Sequence, residues 1–121
     1  MNVLIIDDEP DILEILSEEF KHNGYAVTSA SSGDEAIGIL KNIKFDIVLS
    51  DYKMPNGNGM KVLEFINSLS DKPVFYFCSG QADVSVEECL KGGAREFFSK
   101  PFDLDDLVKR IHEQHEQMDA A

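Results

Sequence analysis

Cysteine is nearly absent from this chain: Cys78 and Cys89 are the only two in 121 residues, too few and too isolated for a disulfide framework. Reduced thiols in a cytoplasmic protein are the expectation. Long apolar runs are missing too. None approaches the ~20 residues that span a bilayer, and no signal peptide precedes Asn2-Val3, which already reads as strand. Positive charge is scarce, with 11 Lys and Arg against 23 Asp and Glu and a net charge of −12. That argues against direct binding to nucleic acid and against an anionic membrane surface, both of which need basic residues. Repeats, low-complexity tracts and linkers are also lacking. The length suits one domain with a core and is too short for two.

What is present alternates. Val3-Leu4-Ile5-Ile6 is a buried-strand run ending in Asp7-Asp8-Glu9-Pro10. Pro10 suits the first turn of a helix, whose stripe is Ile12, Leu13, Ile15, Leu16 and Phe20; His22-Asn23-Gly24 ends it. Tyr25 to Ala30 reads as a second strand. Ser32 and Glu35 form a capping-box pattern before a helix carrying Ala36, Ile37, Ile39, Leu40 and Ile43. The third strand, Ile47-Val48-Leu49, stops at Ser50-Asp51. A helix with Val62, Leu63, Phe65, Ile66 and Leu69 follows Gly59. Val74 to Phe77 is a fourth strand ending at Cys78-Ser79-Gly80. A short helix from Asp83 to Leu90 has only a thin apolar stripe. Arg95 to Ser99 is a fifth strand, and Asp103 caps a last helix with Leu104, Leu107, Val108 and Ile111. From about Gln114 the tail is polar and expected to fray. Strict alternation predicts an α/β fold: a single doubly wound, five-stranded parallel sheet with five helices on its two faces.

Open α/β sheets place ligands at the carboxyl ends of their strands. Here those ends carry Asp7, Asp8 and Glu9 (first strand), Asp51 (third), Ser79 (fourth) and Lys100 (fifth). Clustered carboxylates repel unless a cation sits among them. Mg2+ takes one or two carboxylates, waters and phosphate oxygen. An aspartate beside it can act as a nucleophile toward phosphorus, with Lys100 and the Ser79 hydroxyl for the phosphoryl oxygens. Singly, each residue has a plainer reading: Asp7 and Asp8 as helix-capping acids, Asp51 as a turn residue, Ser79 as a strand-end hydroxyl, Lys100 as surface charge. Jointly, these five residues at four strand ends on one edge favour a site. His112 and His115 are spaced for metal binding on one helical face, but a solvated polar tail is the preferred reading. Met54 and Phe102 read as core or loop anchors, and Phe75-Tyr76-Phe77 as strand core.

LIIDDEPDI, DYKMPNGNG, the Ser79-Gly80 pair and GGAREFFSKPF together resemble the receiver domain of two-component response regulators, over roughly residues 2 to 113. The resemblance implies the flavodoxin-like strand order 2-1-3-4-5 and a single CheY-like receiver domain over 1–121. It implies that Asp51 is the phosphoacceptor, that Asp8 binds Mg2+ with Asp7 assisting through water, and that the backbone carbonyl of Lys53 completes the protein's share of the metal shell. Ser79 and Lys100 would bind phosphoryl oxygens, Phe97 would be the switch aromatic, and the Lys100-Pro101 bond would be cis. Lys53 and Gln81 would tune the phosphoryl lifetime. The donor would be a histidine kinase or phosphotransfer protein, and the output a changed surface on the fourth helix, fifth strand and fifth helix, read by a downstream protein.

Three features depart from the family pattern. Gly57 stands where Met is common and Asn58 where Asp is frequent, which suggests a looser loop. Ser79 to Lys100 is 21 positions, one fewer than the family leads one to expect. Ser79-Gly80 matches the usual pair and puts the missing residue near the fourth helix; a gap inside the strand would put Cys78 in the hydroxyl's place. Phe97 has no hydroxyl for a Tyr-type bond. The chain ends ten residues after Ile111, so a stand-alone receiver without an output domain is expected, or else an excised domain of a larger protein. It would be a signalling module rather than an enzyme. The alternatives are a Mg2+-dependent small-molecule phosphatase or phosphotransferase, and a receiver-like scaffold that is never phosphorylated.

Overall fold

The computed structural model of the chain describes residues 1–52, 58–79, 86–99 and 103–120, with only the backbone at Ser79 and from residue 115 onward. Within them, five strands alternate with five helices: β1 (Asn2–Ile6), α1 (Pro10–His22), β2 (Ala26–Ala30), α2 (Gly33–Leu40), β3 (Ile47–Asp51), α3 (Gly59–Asn67), β4 (Val74–Ser79), α4 (Val86–Lys91), β5 (Glu96–Ser99) and α5 (Leu104–Ala120). All strand pairs are parallel, in the order β2-β1-β3-β4-β5. The doubly wound architecture and its strand order are as expected.

The alternation of side chains along each strand divides the core in two. Val3, Ile5, Ile47, Leu49, Tyr76 and Cys78 pack under α1 and α5, against Leu16, Phe20, Leu107, Val108 and Ile111. Leu4, Ile6, Val48, Phe75 and Phe77 pack on the opposite face, against Ala36 and Leu40 of α2, Val62, Leu63 and Ile66 of α3, and Cys89 of α4. β1 and β3 are therefore covered on both sides, which is why they are nearly continuous apolar runs.

Local chemistry sets the element ends. Gly24 takes φ +90° after α1. The Gly24 N–H then bonds the Lys21 carbonyl at 3.0 Å and the Tyr25 N–H bonds the Phe20 carbonyl at 3.1 Å, closing the helix in a Schellman motif. Ser32 Oγ accepts the Glu35 N–H at 3.1 Å and caps α2. Asp103 does the same for the Asp106 N–H at 3.2 Å before α5.

Some expectations are corrected. Ile15 is 45% exposed. At 3.6 residues per turn it lies about 110° round from the stripe formed by Ile12, Leu13, Leu16 and Phe20. Ile43 is 48% exposed because α2 ends at Leu40, before that position can join its buried face. α5 continues past Gln114 to Ala120. Two of its polar side chains are held by the sheet. His112 Nδ1 pairs with the Tyr25 hydroxyl at 2.8 Å. Gln114 accepts from the Tyr76 hydroxyl and donates to Glu96, both at 2.8 Å. Arg110 pairs with Glu96 at 2.7 Å. The start of the fourth helix, predicted at Asp83, lies outside the described residues. No helix among the described residues is long and apolar enough to cross a membrane.

Candidate functional site

The site begins with two adjacent strand ends. β1 and β3 are neighbours in register, Ile6 opposite Ser50, so the next residues, Asp7 and Asp51, meet at the carboxyl edge of the sheet. The Asp7 N–H still bonds the Ala30 carbonyl of β2 at 3.1 Å, which keeps its backbone in the sheet. Its side chain then turns the chain, Oδ1 accepting the Glu9 N–H at 2.9 Å. Glu9 becomes the N-cap residue of α1, with Pro10 in the first turn. Neither Asp7 nor Asp8 is that N-cap residue, so the capping alternative does not account for them.

Asp7 is fully buried and Asp51 is 6% exposed, while Asp8 and Glu9 face solvent. Carboxylate oxygens of Asp7, Asp8, Glu9 and Asp51 all lie within 4.8 Å of one another. Glu9 is thus part of the cluster although its sequence position alone gave it no role. Four carboxylates at this spacing repel strongly where two are removed from water. An all-oxygen, anionic donor set with one side open to solvent fits a hard divalent cation that keeps several of its waters.

The turn after β3 is held from three directions. Asp51 Oδ1 accepts the Tyr52 N–H at 2.8 Å. The buried Ser50 hydroxyl donates to the Asp51 carbonyl at 2.8 Å. The Gly59 N–H donates to the Tyr52 carbonyl at 2.7 Å. This last bond draws the start of α3 onto the back of the turn. A Cβ at Gly59 would overlap the Asp51 carbonyl oxygen and sit 2.6 Å from Cε1 of Phe77, so the close approach requires glycine. Asn58 keeps the capping role at this helix, its Oδ1 accepting the Lys61 N–H at 3.1 Å. Ser50 and Phe77 carry no sequence signal of a role here, because both read as ordinary strand residues.

On the neighbouring strands, β4 and β5 pair with Ser79 opposite Ser99. Cys78 is buried among the residues under α1 and α5. Phe97 is half-buried, its ring 6.2 Å from that of Phe77. Lys53, Gln81, Lys100, the Lys100-Pro101 bond, Met54, Gly57 and Phe102 lie outside the described residues, as do the side chains of Ser79 and His115.

Residues 3–112 match the family model of the response regulator receiver domain. The chain belongs to that family. Receiver domains are phosphorylation-based signalling modules that work with histidine kinases or phosphotransfer proteins and bind Mg2+ at an acidic pocket. The response regulator SaeR of Staphylococcus aureus is 37% identical over 112 residues, covering 92% of this chain and 49% of SaeR. The chain spans about half the length of the curated relatives it matches. A receiver domain protein from Clostridium thermocellum superposes with a TM-score of 0.87 at 30% identity, over 98% of this chain and 97% of that one. A CheY-like receiver from Methanospirillum hungatei gives 0.88 at 28%, over 99% and 98%. The regulator TrrA of Thermotoga maritima, solved in complex with Mg2+ and a beryllium fluoride, gives 0.82 at 27%, over 93% and 96%.

Proposed function

We propose that this receiver domain, one unit over residues 1–121, is a phosphorylation-driven switch that accepts a phosphoryl group on Asp51 from a histidine kinase or phosphotransfer protein. The observation that carries this is the cluster of four carboxylates around the buried end of β3. Asp8, Asp51 and the Lys53 backbone carbonyl hold Mg2+, with Asp7 assisting through water. Bound Mg2+ supplies the positive charge that lets neighbouring carboxylates stay ionised and offsets charge on the phosphoryl oxygens. A carboxylate oxygen of Asp51 attacks phosphorus. The new O–P bond forms as the donor's N–P bond breaks, and the departing imidazole takes up a proton. Lys100 and Ser79 bind the phosphoryl oxygens, and Lys53 and Gln81 set the lifetime of the acyl phosphate.

The output runs through Phe97 to the α4–β5–α5 surface. That surface has apolar character to offer a protein partner: Val86 and Leu90, one turn apart on α4, are both exposed. This reading puts the chain in the cytoplasm, beside the kinase's catalytic domain.

The test is incubation with acetyl phosphate, with and without Mg2+, followed by intact mass measurement beside Asp51→Asn. A Mg2+-dependent gain of one phosphate in the wild type alone is expected. A wild type that gains none and binds neither Mg2+ nor beryllofluoride would refute the switch.

A further inference from the structure

We infer that Phe77 is a positioning residue that couples the phosphoacceptor turn to Phe97. The inference rests on the reading of Asp51 as phosphoacceptor and Phe97 as a two-state aromatic. Ser50, Phe77 and Phe97 occupy one row across the sheet, successive partners in the β3–β4 and β4–β5 registers. Phe77 is fully buried, yet three of its neighbours belong to the site or the switch. Its ring centroid lies 5.6 Å from that of Tyr52, the residue after Asp51. Its Cε1 edge lies against the first residue of α3, where even a methyl group on Gly59 would approach to 2.6 Å. Its other side meets Phe97 at 6.2 Å, with the rings inclined by 40°.

Behind it stands Phe75, at 4.7 Å and edge-on. Phe75 thus backs the ring, and close-packed interiors pass displacement on rather than absorb it. The turn that presses on Phe77 is the one tied to Asp51 through the Tyr52 N–H, the Ser50 hydroxyl and the Gly59 N–H. Charging and bonding a phosphoryl group at Asp51 loads this turn. Phe77 lies beside both this turn and Phe97, its ring 5.6 Å from that of Tyr52 and 6.2 Å from that of Phe97. A flexible side chain of similar volume fills the same space without the ring's rigid faces.

The test uses the full chain with 4-fluorophenylalanine at position 97, read by 19F NMR before and after Mg2+ and beryllofluoride. Phe77→Met removes the ring and leaves a large, flexible apolar side chain in its place. Phe20→Leu, in the core on the other face, is the control. The wild type and the control are expected to show the same resonance shift. Phe77→Met is expected to bind beryllofluoride within about twofold of wild type while the population ratio at position 97 changes about two- to tenfold less, the scale of a lost aromatic pair. If that variant does not fold, Tyr52→Leu removes the half-buried ring that Phe77 meets beside Asp51 and is read in the same way. A full shift in a folded Phe77→Met protein overturns the inference alone. Beryllofluoride binding without any shift in the wild type removes Phe97 as the switch, and the coupling with it. A wild type that binds no beryllofluoride removes the phosphoacceptor reading and the inference together.

Discussion

Replacing Asp51 with asparagine should make the metal-free protein more stable. Asp51 shares a space of 4.8 Å with the carboxylates of Asp7, Asp8 and Glu9. Two unit charges at that separation repel by about 3.5 kcal/mol at an effective dielectric near 20, and by less than ~1 kcal/mol in bulk water. Asp7 and Asp51 are buried, whereas Asp8 and Glu9 are exposed and screened. The net relief from neutralising Asp51 is then about 1–3 kcal/mol. Asparagine keeps the Oδ1 acceptor for the Tyr52 N–H, so that hydrogen bond survives the loss of charge. Asp51→Asn should therefore raise the unfolding free energy in EDTA by that amount and the Tm by roughly 4–12 °C, measured by urea titration and calorimetry. Mg2+ at a hundredfold excess over its Kd should stabilise the wild type by about 2.7 kcal/mol and the variant by much less, closing the gap. Asp71→Asn, which breaks only an exposed pair with Lys44, should change stability by less than ~0.5 kcal/mol. If Asp51→Asn is no more stable than wild type in EDTA, the carboxylates are already neutralised, and the electrostatic case for a cation site fails.

Gly59→Ala should destabilise by about 1–3 kcal/mol through overpacking against the Asp51 carbonyl and Phe77, and slow phosphorylation by acetyl phosphate; wild-type values for both would contradict the close approach. Burial pushes the Tyr76 phenol up to about 12. The stabilisation held by its neutral form is complete below the ordinary pKa of 10 and is lost as pH rises through 12, so Tyr76→Phe should abolish the tyrosinate step near pH 12 in an alkaline absorbance titration. Gln114→Leu should remove about 1–2 kcal/mol by taking a partner from both Tyr76 and Glu96; an unchanged urea midpoint would mean that the end of α5 is not anchored there. Cys78 and Cys89 are both buried, and burial raises the Cys89 thiol further. Ellman's reagent should label neither until the chain unfolds, and fast native labelling would count against this packing.

Much of the architecture is written locally. β1 and β3 could be recognised because strands covered on both faces must be apolar throughout, and the turn at Gly24 because only glycine enters a left-handed cap at so little cost. The strand-end carboxylates were visible because buried strands leave few other places for charge. What local pattern could not give was phase and reach. Ile15 and Ile43 look like their apolar neighbours but fall on the exposed side of a helix or beyond its end. His112 and Gln114 look like solvated tail residues, yet α5 carries them to Tyr25 and Tyr76 from β2's approach and β4, 87 and 38 positions away in the chain.

By itself, then, the sequence determined the order of the elements, the parallel sheet and the residue types at its carboxyl edge, since periodicity and turn chemistry act over a few residues. Only the tertiary structure decided that Asp7 and Asp51 are buried side by side with Asp8 and Glu9 in reach, that α3 touches the Asp51 carbonyl through Gly59, and that Phe77 stands between Tyr52 and Phe97. Those facts depend on the register between strands far apart in the chain, and a register is chosen by the packing of whole faces rather than by any single segment.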